Sequence, residues 1–541
     1  MKVTRVSKAV VGLATVTALV SACGGGGGAQ PSAEDGIVVV TAAQPQSFSY
    51  ESSATGYESA EFFANTGAGL VRFPYVEGTD GKAAHQQLFE FEPVLAKSYD
   101  VSSDGLTYTF HLNTDAKSAA GNSLSADDVI FSFRRKFDVE TSIVPFISEP
   151  IITDVDEQVR KIDDETVSIT VRDPAHGYTM MSLLTVSAYN IYDSTVLSQN
   201  ATDTDPWGVE WSKTNADFGF GAYKLTSHTP GQQMVYEANP GFALGKPEVE
   251  RVVQRVVADP GQRANLLRSG DASIATQLRP ADQVALRDAG EAQIFEAPTN
   301  AYVYVPLTTT TAPFDNVDVR RAFAHAVPYD LIMKDVYNGR LGPLESILNS
   351  TLPGYDASGL EPNTTDPARS LEILEQAGID TPVEFTLTVN NAVPDLKETA
   401  VQIQTAAAAA GFEVTIDEVN PAAFQEGIAA KTFQASVGRD YAVVQSPPYV
   451  FALFYTPGSP INWPDFTHGP LQEAMADGNA AGEPLSPPAW AKWNEASRIL
   501  QDQMPTVYIG YVQPLNAFAE DIGGYVFRTD NVIDYAELEL P

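Results

Sequence analysis

One cysteine, Cys23, serves a chain of 541 residues. No intramolecular disulfide is available to brace any part of the fold, so each folded unit must be held by burial of its own apolar surface. The place of that cysteine constrains the chain further. Lys2, Arg5 and Lys8 come first with no acid among them, then an uncharged run from Ala9 to Val20, then small residues up to Cys23, then five glycines, Gly24 to Gly28. That is the charged, apolar, small-residue order of an export signal. A run of about 12 residues is too short for a bilayer-spanning helix, which takes roughly 20. Residues 1–22 are therefore expected to be a removable signal peptide, and no later stretch is long and apolar enough to span.

With the signal removed, roughly 520 residues remain, too many for one core and enough for two or three. Acidic residues outnumber basic ones 69 to 33, a formal net charge of −36, and losing three cations with the signal makes the body more acidic still. Such a surface repels nucleic acid and anionic lipid, so no nucleic-acid partner is expected. Hydrophobic residues make up 44% and no long low-complexity tract follows the glycines, which marks a globular body.

Local patterns are of mixed type. In "LTYTFHL", Leu106, Tyr108, Phe110 and Leu112 alternate with polar residues, which predicts a strand with one buried face. In "SADDVIFSFRRKF", Ser125 is a natural N-cap with Asp128 three residues on, and Val129, Ile130, Phe133 and Phe137 recur at helical spacing. "DPARSLEILEQAG" predicts a helix capped by Asp366, begun by Pro367, with Ala368, Leu371 and Leu374 on one face and Gly378 as its stop. The next helix aligns Leu396, Ala400, Ile403 and Ala407, stops at Gly411, and yields to a strand through Phe412, Val414 and Ile416. Mixed α/β lobes are expected, with crossings near Asp205 to Asp217, Pro298 to Pro306 and Met504 to Thr506.

Signs of bond-breaking chemistry are missing. His85, His111, His176, His228, His325 and His468 are scattered singly, without the paired spacing a zinc site needs. There is neither a GxSxG elbow nor a GxxxxGK[ST] loop, and "GFGAY", Gly219 to Tyr223, lacks the third glycine of a dinucleotide loop. No enzyme activity, metal or other cofactor is expected.

Two resemblances join these readings. "VSAC", Val20 to Cys23, resembles the lipobox of bacterial lipoproteins. It implies cleavage after Ala22 and a diacylglyceryl thioether on Cys23, two acyl chains being enough for stable anchoring. Residues 23–35 then form a Gly-rich flexible tether, placing the body on the outer face of the cytoplasmic membrane. Further on, "FEPVLAKSYDVSSDGLTYTFHLNTDAKSAAGNSLSADDVIFSFRR", Phe91 to Arg135, resembles the hallmark segment of the large extracellular solute-binding proteins typified by the oligopeptide- and dipeptide-binding proteins, family 5. The likeness continues in "FGFGAYKLTSHTPGQQMVYEANPGF", "APFDNVDVRRAFAHAV", "DPARSLEILEQAG" and "WNEASRILQDQMPTVYIGY", in family order along nearly the whole mature chain. Departures are Gly221, Ala222, Tyr223 where the family often has Gly-Pro-Tyr, and Val327, Pro328, Tyr329 in place of Ile-Asp-Arg.

The resemblance implies a periplasmic-binding-protein-like α/β fold of three lobes, with a ligand cleft between two hinged halves. Lobe I takes 36–60, 212–299 and 506–541, lobe II is the insert 61–211, and lobe III is 300–505. It also implies a monomeric receptor of an ABC importer that hands a short peptide to a membrane permease. The alternative is a same-fold receptor for an oligosaccharide, a metal chelate or an amino-acid derivative. Peptide-binding relatives meet the ligand's amino end with an aspartate, and "VGRDYAVVQSPPYVFALFY" supplies Asp440 and Tyr441 at the matching place, although the family's following Asp-Pro is replaced by Ser446 to Tyr449. Arg439 is a candidate carboxylate partner; Tyr441, Tyr449, Phe451 and Trp463 are candidate pocket walls. Tyr302, at an expected crossing, and Phe220 or Tyr223, by the glycine pair, complete the candidate set.

Overall fold

The alternating stretch around Phe110 is the strand Thr107–Leu112, with Phe110 and Leu112 fully buried. It pairs antiparallel with Ala96–Val101 on one side and Thr166–Thr170 on the other, and Val159–Asp163 completes a four-stranded sheet. Helix Ala126–Asp138 follows at once. The Asp128 carboxylate accepts from Ser125 N at 2.8 Å, closing the expected cap, and from Ser194 N at 2.8 Å, so one side chain ends two segments. These details come from a computed structural model that describes residues 36–540 except 53–55, 80, 150, 345, 349 and 351. The expected signal peptide and tether, with Cys23, lie outside the described residues.

A six-stranded sheet has the fully buried strand Ile37–Thr41 near its middle. Arg251–Val256 and Ile274–Ala275 flank it in parallel; the hairpin Tyr223–Thr229 and Gln233–Ala238 extends one edge, and Ala517–Phe518 closes the other. Distant parts of the chain therefore build one sheet. Gly221 marks where this unit meets helix Tyr57–Thr66. Its N–H donates to Thr66 O at 3.0 Å, and a Cβ there would lie 2.3 Å from Thr66 C. The glycine pair of "GFGAY" serves backbone-to-backbone docking.

A second four-stranded sheet, entirely antiparallel, runs Leu341–Gly342, Thr506–Val512, Tyr302–Pro306, Gly438–Asp440. Because Thr506–Val512 pairs with Tyr302–Pro306, the chain returns to the six-stranded sheet after Val512. The two connections lie side by side: Ala297 N donates to Gln513 Oε1 at 2.8 Å, and the buried Arg340 guanidinium reaches Pro514 O at 3.1 Å and Glu296 Oε1 at 3.2 Å.

Beside this sheet stands a parallel three-stranded one, Phe412–Val419, Val383–Asn390, Ala435–Ser436, backed by helices. In helix Pro394–Ala407 the predicted stripe of Leu396, Ala400, Ile403 and Ala407 is the buried one, and Gly411 ends the element at φ 89°. Helix Pro367–Gln376 differs from expectation. Ala368 and Leu371 face solvent, and Ser370 with Leu374 is buried instead, because Ser370 Oγ donates to Ala410 O at 2.8 Å and turns that face inward.

One continuous apolar cluster joins the antiparallel unit, through Phe110, Phe133 and Tyr189, to the helices Pro447–Tyr455 and Pro487–Gln503, through Phe451 and Trp493. Ser446 Oγ bonds Thr179 Oγ1 across this junction at 2.8 Å. The three regions thus close around a common space.

Candidate functional site

That space is a cavity of about 440 Å³. Among its acids is Asp440, last residue of strand Gly438–Asp440, opposite Tyr302 in the register. Gly438 has no side chain, so the Tyr304 ring lies against it; a Cβ there would sit 3.0 Å from the ring. The Tyr304 hydroxyl thereby reaches Asp440 Oδ2 at 3.5 Å, the outer limit of a hydrogen bond. Trp463 Nε1 donates to the same oxygen at 3.1 Å, and Tyr441 N donates to Oδ1 at 2.8 Å. No cation pairs with this carboxylate among the described residues. Burial raises its pKa to about 6, against three hydrogen bonds that favour the ionised form.

Arg439, its neighbour, also borders the cavity but is occupied. Its Nη1 bonds Asp395 Oδ2 at 3.1 Å, and the buried Tyr337 hydroxyl donates to that oxygen at 2.9 Å. A ligand carboxylate would have to compete with Asp395. Tyr441, Tyr449 and Trp463 line the cavity as well. The Lys431 ammonium sits 5.3 Å from the Trp463 ring centroid, on the ring's face.

Other candidates lie elsewhere. Tyr302 is buried beyond the wall, its ring edge-on to Tyr304, Phe454 and Tyr508. Tyr223 belongs to the core of the six-stranded sheet, with its hydroxyl 2.8 Å from Val249 O and 3.0 Å from Tyr535 O. Phe220 is fully buried, and Phe451 stacks on Trp493. Sequence reasoning passed over Tyr304 and Glu58, which both line the cavity. Tyr304 had a signal, since it shares a strand face with Tyr302. Glu58 had none.

The remaining wall is apolar where Ile147, Leu396, Phe424 and Phe454 stand and polar at amides such as Asn390 and Asn516. Among the described residues, no group of three or more histidines, cysteines or acids is placed to hold a metal ion, and no helix is long and apolar enough to cross a membrane. The arrangement is suited to holding a partly apolar ligand with a cationic group.

Known proteins share both pattern and fold. Residues 90–461 match the family described as bacterial extracellular solute-binding proteins, family 5 middle. Di/tripeptide-binding protein 2 of Pseudomonas aeruginosa is 25% identical over 482 residues, 83% of this chain and 86% of that protein. Heme-binding protein A of Haemophilus influenzae is 26% identical over 327 residues, 56% of this chain and 58% of that one. Among solved structures, the periplasmic binding protein DppA from Helicobacter pylori in complex with peptide STSA superposes with a TM-score of 0.80 at 21% identity, covering 93% of this chain and 98% of that chain. The fold is accordingly the mixed α/β architecture of the periplasmic binding proteins. A match across more than two thirds of its residues, on a fold that closes three regions around one cavity, makes this chain a member of family 5 of the bacterial extracellular solute-binding proteins.

Proposed function

We propose that the protein is the ligand-capturing receptor of an ABC importer, that its ligand is a short peptide, and that Asp440 holds the peptide's amino end. The observation that carries this reading is the Asp440 carboxylate itself, half-buried at the cavity wall with three donors and, among the described residues, no cation bonded to it. An ammonium placed there supplies the missing charge through a charge-assisted hydrogen bond. The amides of Asn390 and Asn516 offer partners for peptide backbone, and the aromatic and aliphatic wall accepts side chains. Arg439 serves as carboxylate partner only if Asp395 releases it.

Lobe I comprises 36–66, 212–299 and the chain after Val512, lobe II comprises 67–211, and lobe III runs from 300 to Val512; these differ from boundaries at 60 and Thr506 because helix Tyr57–Thr66 packs Phe62 and Phe63 on the six-stranded sheet and Thr506–Val512 pairs within the third lobe. The paired connections around Ala297 and Gln513 act as the hinge. The body works as a monomer outside the cytoplasmic membrane, anchored by lipid on Cys23 and delivering its ligand intact to a permease. A second reading, a receptor for a non-peptide solute, is favoured by the relative named for heme binding.

Calorimetric titration with a tripeptide and its N-acetylated form separates the two. A loss of about a hundredfold on acetylation is expected, since it leaves a partly buried charge unpaired. Equal affinity for both forms refutes the amine anchor, and mass spectrometry of ligand retained through native purification identifies the solute directly.

A further inference from the structure

Among the described residues, the cavity wall carries a second carboxylate that no cation bonds. Glu58 stands in the first turn of helix Tyr57–Thr66, whose Phe62 and Phe63 pack on the six-stranded sheet, and it borders the same cavity that Asp440 borders from the four-stranded sheet. Its Oε1 accepts from Gln277 Nε2 at 2.9 Å. Burial raises its pKa, and Arg263, the cation whose charge acts on it, is committed to the carbonyls of Thr276, Val257, Ala258 and Gln277 at 2.6 to 2.9 Å.

The other charged groups of the wall have bonded partners. Arg528 grips Asp530 with two bonds, at 2.9 and 2.7 Å. Arg439, the one cation among the described lining residues, is bonded to Asp395. Lys431 stands behind the Trp463 ring, with its ammonium tied to Asn462 O. Among the described residues, the wall therefore offers two carboxylates that no cation bonds, and no cation without a bonded carboxylate. A buried charge without its complement is costly, so the bound solute is the natural source of both positive charges.

We infer that this receptor selects ligands bearing two positive charges, one met by Asp440 and the other by Glu58, and that it leaves the ligand's terminal carboxylate without a side-chain cation. The inference rests on the peptide reading above, and within it the substrate class is basic peptides, with a lysine or arginine near a free amino end. Such a ligand bonds to both sides of the cavity at once. The contacts that select it also hold the two sheets closed around it.

A lysine scan tests this. Tri-alanine amide, its three single-lysine derivatives and the matching norleucine derivatives are titrated by calorimetry into the receptor and into Glu58→Gln. Norleucine keeps the apolar stem of lysine and removes the charge. At one position lysine is expected to bind about tenfold tighter than norleucine, and in Glu58→Gln this lysine-over-norleucine ratio is expected to fall to within about twofold. A carboxylate in place of the terminal amide is expected to bring no gain. The inference is overturned if no position favours lysine on the unaltered receptor, if the carboxylate form binds about tenfold tighter, or if nothing in the set binds. The lysine gain is read on the unaltered protein, so misfolding of the variant cannot mask it. Amine dependence without a lysine gain removes Glu58 and keeps the Asp440 anchor. A lysine gain without amine dependence does the reverse.

Discussion

Asparagine at position 440 keeps the outline of the side chain and removes its charge. In the unliganded protein the carboxylate has a pKa of about 6, raised by burial from an ordinary 3.8. The folded state holds this proton more tightly than the unfolded chain does. The stability it contributes is therefore fully present below about pH 4 and is lost as pH rises through about 6. At about 1.36 kcal/mol per pH unit, the loss at neutral pH is about 3 kcal/mol. Asp440→Asn escapes that loss, but a single amide oxygen can accept from only one of Trp463 Nε1 and Tyr441 N, which now bond different carboxylate oxygens. The stranded donor costs about 1 kcal/mol. Unliganded Asp440→Asn should thus be more stable than the parent by about 2 kcal/mol at pH 7, and less stable by about 1 kcal/mol at pH 4. Urea-unfolding midpoints of the two proteins at pH 4, 5.5 and 7 measure the difference, which should change sign. Peptide affinity should move oppositely at pH 7, falling about a hundredfold. A variant that is less stable at every pH, or that binds peptide as the parent does, refutes the reasoning.

Two further outcomes are expected. Gly221→Ala places a Cβ 2.3 Å from Thr66 C and 2.5 Å from Gly67 N, backbone atoms that cannot rotate away; a loss of about 3 kcal/mol or more in denaturant unfolding should follow, and a change under about 0.5 kcal/mol would contradict the docking role. Cys23→Ser should abolish the acylated N-terminal peptide in mass spectra and move the protein from the membrane fraction to the soluble one; persistence on the membrane would rule out the lipid anchor.

How far the sequence could be read depended on the distance over which each feature is specified. The cap at Ser125 and Asp128, the strand through Phe110 and the helix carrying Ile403 are set by residues within one or two turns of each other, and all were legible. The stripe on helix Pro367–Gln376 was misread because its orientation answers to Ala410, forty residues away. Tyr302 and Tyr223 are marked only by their placement in sequence, and one is wedged among Phe454 and Tyr508 while the other is bonded to Val249 and Tyr535. Aromatic residues carry the same local pattern whether they face a core or a cavity.

Local spacing, the lone cysteine and the charge balance were enough to establish a chain of alternating strands and helices, in several disulfide-free cores, with no paired metal ligands or nucleophile motif. Tertiary pairing alone decided which acids face the cavity and which are already neutralised. Asp440 meets Tyr304 across 136 residues, Glu58 meets Gln277 across 219, and Arg439 is claimed by Asp395 across 44. A carboxylate's charge, solvation and availability to a ligand depend on what the register of distant strands brings beside it, and no short window of sequence contains that register.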